Sequence, residues 1–404
     1  MRLAKLPLRK DYIMSELILQ LKVVDITRET ADAITIHLEH PDKIAVPYQA
    51  GQFLTLIVPV NGKKERRAYS LCSSPVEQPR LSVTVKRVKG GLLSNYLINQ
   101  LKVGDRLEVL APMGNFNIIP EPTNRRTVVL IGAGSGITPL MAMAKSVLHH
   151  ETASQVCLIY ANRNEESVIF KNQLKTLEQQ YPERFRVTHV YSQTTTLETT
   201  PKANSSFFGR LFGKSKETAP GTSPAEELNT IYSGRLNQKM LLTILEKLKI
   251  RNTTATEFYL CGPEGLMEEA KAALQILQVP NHQVFKESFV SSGHNPVNTG
   301  AGSTAKEENT TTIQDQSVTI LFEGQQYVVA VTKDETILEA ALSQDIDLPF
   351  SCQAGLCTAC RGKCLAGKVH LDEREGLSDA EVAQGFVLTC VGHPLTNNVI
   401  IEIG

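Results

Sequence analysis

The chain has 404 residues, of which 42% are hydrophobic, so it has room for two to four domains with apolar cores. Its 42 basic and 42 acidic residues balance. The sequence contains no basic patch interleaved with aromatic residues, so nothing in it indicates nucleic-acid binding. No apolar run reaches eighteen residues, which argues against integral membrane association. The basic N-terminus, in which Met14 is an alternative start, lacks the apolar segment of a secretory signal, and this predicts a reducing, cytoplasmic location.

The balance of charge hides an asymmetry along the chain. Residues 316–404 carry 5 Lys and Arg against 12 Asp and Glu, a net charge of −7 that the other 315 residues compensate. An acidic C-terminal part beside a basic remainder favours electrostatic docking between the two. An acidic surface that only improves solubility explains the same pattern.

The first predicted part, residues 15–122, contains short strands interrupted by Gly and Pro, which predicts an antiparallel β-barrel. Within it, the run Arg67-Ala68-Tyr69-Ser70 suits a flat ring system that needs stacking on one side and a hydrogen bond at one edge, although a core tyrosine on a strand is the simpler interpretation. The run Gly90-Gly91-Leu92-Leu93-Ser94 places glycines and a Ser N-cap before an apolar helix, which is either only a capped helix or an anion site at a helix start.

The second predicted part, residues 123–289, alternates apolar strands with helical segments, which predicts a parallel sheet with helices on both faces. An apolar strand at 128–131 leads into Gly132-Ala133-Gly134-Ser135-Gly136 and then a helix, so the glycines and the helix start suit a diphosphate. A second strand ends at Cys261-Gly262-Pro263 in the same way. Two such strand ends on one parallel sheet predict a dinucleotide crevice.

Two low-complexity stretches separate the predicted parts. Residues 194–229 are predicted to be a flexible insertion in the second part, and residues 290–315 an interdomain linker. The third part, residues 316–404, begins with a hairpin around Glu323-Gly324 and a helix at Glu335–Gln344, and a cysteine-rich loop follows.

Four cysteines in this third part, Cys352, Cys357, Cys360 and Cys390, are the most informative feature of the sequence. Their spacing, C-x4-C-x2-C followed by a distant fourth cysteine, is that of plant-type [2Fe–2S] sites. A zinc site usually shows two C-x2-C pairs or a mixture with His, and a disulfide framework is unusual in a long chain with eight cysteines. Cys364 is interpreted as a buried strand residue rather than a fifth ligand.

These motifs occur in the same order in the ferredoxin–NADP reductase superfamily, which the chain resembles from about Ser15 to its end. The resemblance implies FAD in the barrel, a pyridine nucleotide on the parallel sheet and a plant-type ferredoxin module of β-grasp fold at the C-terminus. It further implies that the enzyme is an NAD(P)H-dependent oxidoreductase of the kind that serves oxygenases, hydroxylases and desaturases, phenylacetyl-CoA epoxidase among them. The predicted insertion departs from the compact family pattern.

The resemblance also implies roles for individual residues. Tyr69 would stack on the flavin, Ser70 would hydrogen-bond near flavin N5, Cys261 would approach the nicotinamide carbon that gives up hydride, and Glu287 would help to position the nicotinamide. Phe289 would shield the flavin until the nicotinamide displaces it. The remaining cofactor contacts would be Arg67, Lys86, Arg87, Gly91, Leu92, Leu93 and Ser94 for FAD, Thr138 for both flavin and nicotinamide, and Gly132, Gly134, Gly136, Gly262 and Pro263 for the nucleotide.

In the second predicted part, the choice between NADPH and NADH depends on the residues at the end of the strand that leads to Asn162. Asn162 stands where the family reads the adenosine ribose, and no acidic residue there favours a free 2′-hydroxyl. Arg163 follows it, and Arg235 lies in a second loop predicted to be nearby. A guanidinium binds a phosphate through two parallel hydrogen bonds, so the sequence favours NADPH over NADH. The alternative is that both arginines are ordinary surface charges with no role in binding.

The predicted function is therefore the transfer of electrons from NADPH through FAD and the cluster, singly, to an oxygenase or hydroxylase of the phenylacetyl-CoA epoxidase type. A fatty-acid desaturase or another hydroxylase is an alternative acceptor. A non-catalytic iron–sulfur redox sensor is the alternative from another functional class.

Overall fold

The computed structural model describes residues 18–60, 62–193, 231–289, 313–353, 355, 357–374 and 376–403. The predicted insertion and nearly all of the predicted linker lie outside these residues. Three main sheets follow one another along the chain: an antiparallel barrel, a parallel sheet and a mixed sheet. The predicted fold class is confirmed, while the predicted domain boundaries stay predictions.

The first sheet is a six-stranded antiparallel barrel. Its two outermost strands approach each other through a bridge between Leu71 and Val83. Inward-facing apolar residues from all six strands fill it, together with the apolar face of helix α1 (Leu92–Gln100). The strands, which are arranged in the order β4-β3-β6-β1-β2-β5, are β1 (Ile18–Thr30), β2 (Ala33–Glu39), β3 (Phe53–Val60), β4 (Lys63–Ser70), β5 (Leu81–Lys86) and β6 (Arg106–Met113).

The second sheet is parallel and has the order β10-β9-β8-β7-β11-β12. The chain winds outward from β7 in one direction and then continues from β11 in the other, so the direction of winding reverses between β7 and β11. Ligands bind at such a reversal, beyond the carboxyl ends of the strands. The strands are β7 (Thr127–Ala133), β8 (Gln155–Asn162), β9 (Phe185–Tyr191), β10 (Tyr232–Ser233), β11 (Thr256–Gly262) and β12 (Val284–Ser288).

Four helices cover the two faces of this sheet. Helix α2 (Ile137–His150) is buried along most of its length because it packs between the sheet and the barrel, where Ala50 and Phe116 join its cluster. Helices α4 (Gln238–Lys247) and α5 (Glu264–Ile276) cover the other face. The remaining helix is α3 (Lys171–Gln180), which packs beside α2.

The third sheet has the β-grasp arrangement, in which the first and last strands pair in parallel at the centre and helix α6 (Ile337–Ser343) packs across them. Thr336 caps α6, with Glu339 completing the capping box. The other elements are β13 (Gln316–Phe322), β14 (Gln325–Val331), β15 (Arg361–Ala366), β16 (Val369–Leu371), α7 (Asp379–Ala383), β17 (Phe386–Leu388), β18 (Gly392–Pro394) and β19 (Val399–Ile403).

A buried ionic network joins the amino ends of the parallel strands, at the edge opposite the strand ends that carry the glycines. Arg126 donates to the fully buried Glu151 at 2.6 and 3.1 Å and to both carboxylate oxygens of Glu257 at 2.8 and 2.9 Å. Burial by itself raises the pKa of Glu151, but hydrogen bonds from Arg126, Asn124 and Ser154 outweigh it and hold this pKa below its ordinary value.

We expect Glu151→Gln to destabilise the protein in a pH-dependent way. Because the folded-state pKa of Glu151 is depressed, its ionised form stabilises the protein above the unfolded-state pKa near 4.5, and this contribution is lost as the pH falls through the folded-state value. Removing one charge from a buried pair costs about 3 kcal/mol at pH 7. Thermal unfolding should therefore show a large loss at pH 7 that shrinks below about pH 4.

The matched control is Glu165→Gln, which removes the surface pair of Glu165 with Lys171 (2.7 Å) on the same domain. Exposed pairs contribute little, so the midpoint of this variant should stay near that of the wild type. An equal loss for Glu151→Gln at pH 7 and pH 3 would contradict the electrostatic origin of the effect.

Candidate functional site

The carboxyl ends of β7 and β11 approach each other so closely that only glycine fits between them. A Cβ on Gly136 would collide with the carbonyl oxygen of Cys261, and one on Gly262 would lie 2.9 Å from Leu266 Cδ2. Gly134 adopts a positive φ of 54°, which glycine tolerates best. These glycines therefore hold two strand ends and the start of α2 together at the point where the winding reverses.

A cavity of about 480 Å³ opens at this point. It brings together most of the residues predicted to bind the nucleotide, although Gly132 and Thr138 do not line it. It also includes Lys86, which was predicted to bind FAD and whose Nζ lies 3.6 Å from the position of a Cβ on Gly134. Lys86 thus reaches from the barrel into the nucleotide cavity. The lining includes Lys86, Ala133, Gly134, Ser135, Gly136, Ala161, Asn162, Arg163, Ser192, Gly234, Arg235, Gly262, Pro263, Leu266 and Phe289.

Two exposed arginines, Arg163 and Arg235, line this cavity. Arg163 follows β8, and Arg235 follows the turn at Gly234, which has a φ of 119°. Nη2 of Arg235 lies 2.9 Å from the position of a Cβ on Gly265, so the absence of a side chain there leaves room for the guanidinium. The buried side chain of Asn162 lies on the same wall.

The barrel contributes the residues of the Arg67-x-Tyr69-Ser70 motif from the end of β4. Tyr69 packs partly against the barrel core, and burial raises its pKa to about 12, so its phenol stays neutral. Nη1 of Arg67 donates to the carbonyl oxygen of Arg66 at 2.6 Å. Ser70 is buried and lies opposite Phe53 on β3.

Helix α1 begins at Leu92 behind the N-cap residue Gly91, which provides no side-chain cap. The interpretation of Ser94 as an N-cap was wrong, because Ser94 lies inside the first turn and its hydroxyl accepts the N–H of Val88 at 3.2 Å. Leu93 is buried, whereas Leu92 is exposed at the helix start. The uncapped N–H groups of this helix start fit an anionic group such as a diphosphate.

Arg87, predicted beside the FAD diphosphate, holds α1 in place from the end of β5. Its two terminal nitrogens donate to Asn95 Oδ1 at 2.6 Å and to Asn99 Oδ1 at 2.9 Å. Arg87 therefore positions the helix start that would meet the diphosphate.

The residues predicted to be catalytic come together from three elements. Cys261 on β11 lies directly beside Glu287 on β12, and the hydroxyl of Ser70 donates to Glu287 Oε2 at 3.4 Å. Burial, followed by the charge of Glu287, raises the pKa of Cys261 well above its ordinary value, so the thiol is neutral. Burial also raises the pKa of Glu287 to about 8, with a smaller contribution from Cys352 of the ferredoxin module.

Two further predicted residues lie around this group. Thr138 is buried at the start of α2, where its hydroxyl donates to the carbonyl oxygen of Ser135 at 3.0 Å. Phe289 is 40% exposed and lines the cavity immediately after β12. Its ring is therefore available to move or to stack.

The four predicted ligand cysteines converge as two pairs. Sγ of Cys360 lies 3.2 Å from Sγ of Cys390, and the hydrogen bond with Cys352, followed by burial, raises the pKa of Cys357. Hydrogen bonds with Cys352 and Cys360 raise the pKa of Cys390 as well, whereas the hydrogen bond with Cys390 lowers the pKa of Cys360. Within the described residues, no group of three ligating side chains is arranged to hold a single ion.

Cys364 is not part of this group. It lies on β15, half-buried rather than fully buried, and its thiol donates to the carbonyl oxygen of Ala366 at 3.1 Å.

The cysteine loop packs directly onto the barrel. Cys357 and Ala359 form a small cluster with Phe53, and Met113 and Cys352 pack against it. Asn115 adds a hydrogen bond of 3.4 Å to the carbonyl oxygen of Gly376. Because Phe53 pairs with Ser70, the predicted cluster site and the predicted flavin site are neighbours across one strand pair.

Sequence reasoning missed Arg66, which forms the main polar contact between the barrel and the β-grasp domain. It donates to both oxygens of Asp347 at 2.7 and 2.8 Å and to the carbonyl oxygen of Leu348 at 2.9 Å, and it stacks 4.9 Å from the ring of Phe350. Arg66 was overlooked because the neighbouring Arg67 was assigned to the flavin motif and Arg66 was given no role. The charge asymmetry of the sequence was the available signal for such a contact.

Comparisons with known proteins agree with this architecture. Residues 20–118 match the oxidoreductase FAD-binding domain family, 130–205 the oxidoreductase NAD-binding domain family and 320–395 the 2Fe–2S iron–sulfur cluster binding domain family. A component of 1,2-phenylacetyl-CoA epoxidase from Escherichia coli strain K12 is 32% identical over 95% of this chain and 96% of its own. The ferredoxin reductase component of 3-ketosteroid-9-alpha-monooxygenase from Mycobacterium tuberculosis is 32% identical over 96% of this chain and 97% of its own.

Among solved structures, phthalate dioxygenase reductase is 22% identical, covers 96% of this chain and 98% of its own, and superposes with a TM-score of 0.54.

The chain belongs to the ferredoxin–NADP reductase superfamily, among the reductases that carry a C-terminal plant-type [2Fe–2S] domain. It is an NAD(P)H-dependent oxidoreductase with binding domains for FAD, a pyridine nucleotide and a [2Fe–2S] cluster. Of the helices in the described part of the chain, none combines the length and apolar character that crossing a bilayer requires.

Proposed function

We propose that this protein carries electrons from NADPH through FAD and a [2Fe–2S] cluster to a separate oxygenase or hydroxylase component, of the phenylacetyl-CoA epoxidase type. When bound, FAD accepts a hydride and releases electrons one at a time, and the cluster carries them singly. The two relatives described above serve an epoxidase and a steroid monooxygenase, and the phenylacetyl-CoA epoxidase component supports the type of acceptor.

One arrangement supports this proposal more than any other: the hydride site and the cluster loop meet at the same end of the barrel. Cys261 and Glu287 are paired on adjacent strands, Glu287 accepts from Ser70, and Ser70 lies opposite Phe53, which packs on Cys357. Electrons entering at the nucleotide cavity would therefore have a short route to the cluster.

The protein's own residues would bind and orient the reactants in this scheme. Tyr69 would provide a neutral aromatic face for the flavin, and Ser70 a hydroxyl at its edge. The neutral thiol of Cys261 would contact the nicotinamide without competing as a nucleophile, because its pKa is raised well above neutrality. Phe289 would cover the flavin in the absence of nucleotide.

Selection of NADPH would depend on Arg163 and Arg235. We expect Arg163→Ala combined with Arg235→Ala to lower kcat/KM for NADPH by roughly 10- to 100-fold, since hydrogen bonds to a charged phosphate contribute about 1.5–3 kcal/mol. The value for NADH should change less than about twofold, because NADH has no 2′-phosphate. Steady-state rates with both nucleotides measure this.

Lys175→Ala, on the exposed side of α3 and away from the cavity, controls for the general loss of positive charge. Equal losses with NADPH and NADH in the double variant would show that the arginines do not read the 2′-phosphate.

The acceptor is tested by coupled turnover. The purified reductase should support sustained NADPH-dependent reduction of cytochrome c, whereas a redox sensor would stop after one reduction of its own centres. Added to the oxygenase subunits of a phenylacetyl-CoA epoxidase, it should drive product formation in proportion to NADPH consumed. Sustained cytochrome c reduction without such coupling would leave the reductase activity in place and exclude this acceptor.

A further inference from the structure

Strand β3 is buried on both faces from Phe53 to Val58, although a barrel strand with a solvated outer face should alternate between buried and exposed residues. On the same face of β4, Arg66 and Ser70 are buried and Ala68 between them is exposed. Leu54, Leu56 and Val58 fill the barrel core. Phe53, before them, and Ile57, between Leu56 and Val58, point the opposite way, since successive side chains on a strand alternate, yet they too are almost fully buried. The β-grasp domain contacts this face at both ends, at Phe53 and at the partner of Ile57, Arg66.

Arg66 is buried to an unusual extent for a guanidinium on the outside of a barrel, with 4% of its side chain exposed. Its two terminal nitrogens make three hydrogen bonds to Asp347 and Leu348, and its planar group stacks on Phe350. Because Nη2 donates to both carboxylate oxygens of Asp347 while Nη1 donates to the carbonyl oxygen of Leu348, the planar guanidinium is fixed in orientation as well as in distance. Arg66 therefore holds the loop that precedes the cluster ligands in one orientation.

This loop leads directly into the cluster site. Phe350, over which Arg66 stacks, is two residues before the first ligand, Cys352. On the barrel side, Arg66 and Ser70 are four residues apart on β4 and point to the same face, roughly 13 Å apart along the strand. One end of the docked face is thus fixed by Arg66 and the other carries the contact of Phe53 with the cysteine loop.

We propose that the Arg66–Asp347 pair is an interdomain latch that positions the [2Fe–2S] module for electron transfer from the flavin. Arg66 is a positioning residue, because it acts through the cluster loop rather than on a reacting atom. This inference rests on the proposed function only in taking the flavin as the source of the electron and the cluster as its destination.

The latch is built so that it can open. Asp347 keeps 64% of its side chain exposed, whereas Arg66 is almost fully covered. Water and salt therefore compete for the carboxylate, and an exposed carboxylate gives a weaker, salt-sensitive pair. The docked state should weaken as ionic strength rises, which would release the module to meet its acceptor.

The test compares two steps in the FAD- and cluster-loaded protein. Rapid mixing with NADPH under anaerobic conditions follows flavin reduction by absorbance, and freeze-quench electron paramagnetic resonance follows cluster reduction. We expect Arg66→Met to slow cluster reduction at least roughly tenfold while flavin reduction changes less than about twofold, because an undocked cluster module lies farther from the flavin and electron transfer slows steeply with distance. Asp347→Asn should act in the same direction with a smaller effect.

A second measurement does not depend on electron transfer. Hydrogen–deuterium exchange of residues 345–350 should accelerate in Arg66→Met and in wild-type protein at high salt, while exchange in β1 and β2 stays unchanged. In Asp347→Asn, the salt dependence of both exchange and cluster reduction should be largely lost.

Lys64→Met is the matched control. Lys64 lies two residues before Arg66 on the same strand and pairs within the barrel with Glu108 at 3.1 Å. The Lys64→Met variant should leave the rates of flavin and cluster reduction and the exchange of residues 345–350 unchanged. If Arg66→Met reduces its cluster as fast as the wild type, or if the exchange of residues 345–350 in this variant does not change, the proposed latch is contradicted. If wild-type protein itself fails to reduce its cluster, the proposed function is wrong instead.

Discussion

Cys360→Ser is expected to abolish the cluster and with it the delivery of single electrons. Cys360 is 1% exposed, and its sulfur lies 3.2 Å from that of Cys390, so no neighbouring thiol in the described group can replace it without moving the loop. Reduction of cytochrome c should fall by roughly two orders of magnitude, because the flavin would have lost its one-electron outlet. NADPH-driven flavin reduction should persist, since its residues lie on the barrel and the parallel sheet.

Cys364→Ser supplies the control for this result. Cys364 is four residues away on β15, and its thiol donates to the backbone rather than to the ligand group. This variant should keep its iron content, its visible spectrum and its turnover. Loss of the cluster in Cys364→Ser together with its retention in Cys360→Ser would overturn the ligand assignment.

Gly136→Ala is expected to have the second large effect, at the other end of the electron route. Its φ of −61° is open to any residue, so the obstacle is space alone: the new methyl group would meet the carbonyl oxygen of Cys261. The ends of β7 and β11 would have to separate, displacing Cys261 from the hydride site. A displacement of about 1 Å costs roughly 100-fold in rate, so flavin reduction by NADPH should fall by about that factor.

A separate reduction with dithionite distinguishes this effect from loss of FAD. The flavin of Gly136→Ala should still bleach fully with dithionite, because most of its predicted contacts lie on the barrel and α1 and only Thr138 lies on α2. Gly324→Ala controls for general destabilisation: its φ of 71° strains an alanine there, although the space around it in the distant β13–β14 hairpin is open, so this variant should keep its rate of flavin reduction by NADPH. A normal rate with NADPH in Gly136→Ala would contradict the role of the close strand contact.

Much of this site was predictable because its chemistry is local in sequence. The spacing of the four cysteines predicts a cluster before any fold is known, since the ligands must converge on two irons. The glycine turn after β7 identifies the crevice because a strand, a glycine turn and a helix start are adjacent in the chain. For the same reason the strands around these motifs were predicted close to their observed bounds.

The contacts that depend on docking were not predictable in the same way. Arg66 precedes the flavin motif by one residue, and nothing local distinguishes it from a surface arginine; its partner Asp347 is 281 residues away. One signal was present but was not interpreted: β3 reads Phe-Leu-Thr-Leu-Ile-Val, apolar on both faces, where a barrel strand open to solvent would alternate. A run that is apolar on both faces indicates that the outer face of β3 is covered by another part of the protein.

Lys86 illustrates the same limit at the level of a single side chain. The resemblance to the reductase superfamily implied that Lys86 and Arg87 would both line the ribityl–diphosphate region of FAD. On the strand, adjacent side chains point to opposite sides, so Arg87 holds α1 while Lys86 reaches the nucleotide cavity. Sequence motifs identify the neighbourhood, and strand alternation decides which ligand each residue meets.

The most direct test of the whole scheme is an anaerobic titration of the purified, reconstituted protein with NADPH, followed by absorbance and electron paramagnetic resonance. The scheme predicts one FAD and two irons per chain, bleaching of the flavin on mixing, and a [2Fe–2S] signal that appears afterwards and depends on the flavin. Protein that binds neither flavin nor iron after reconstitution, or that reduces its flavin without ever reducing the cluster, would contradict it.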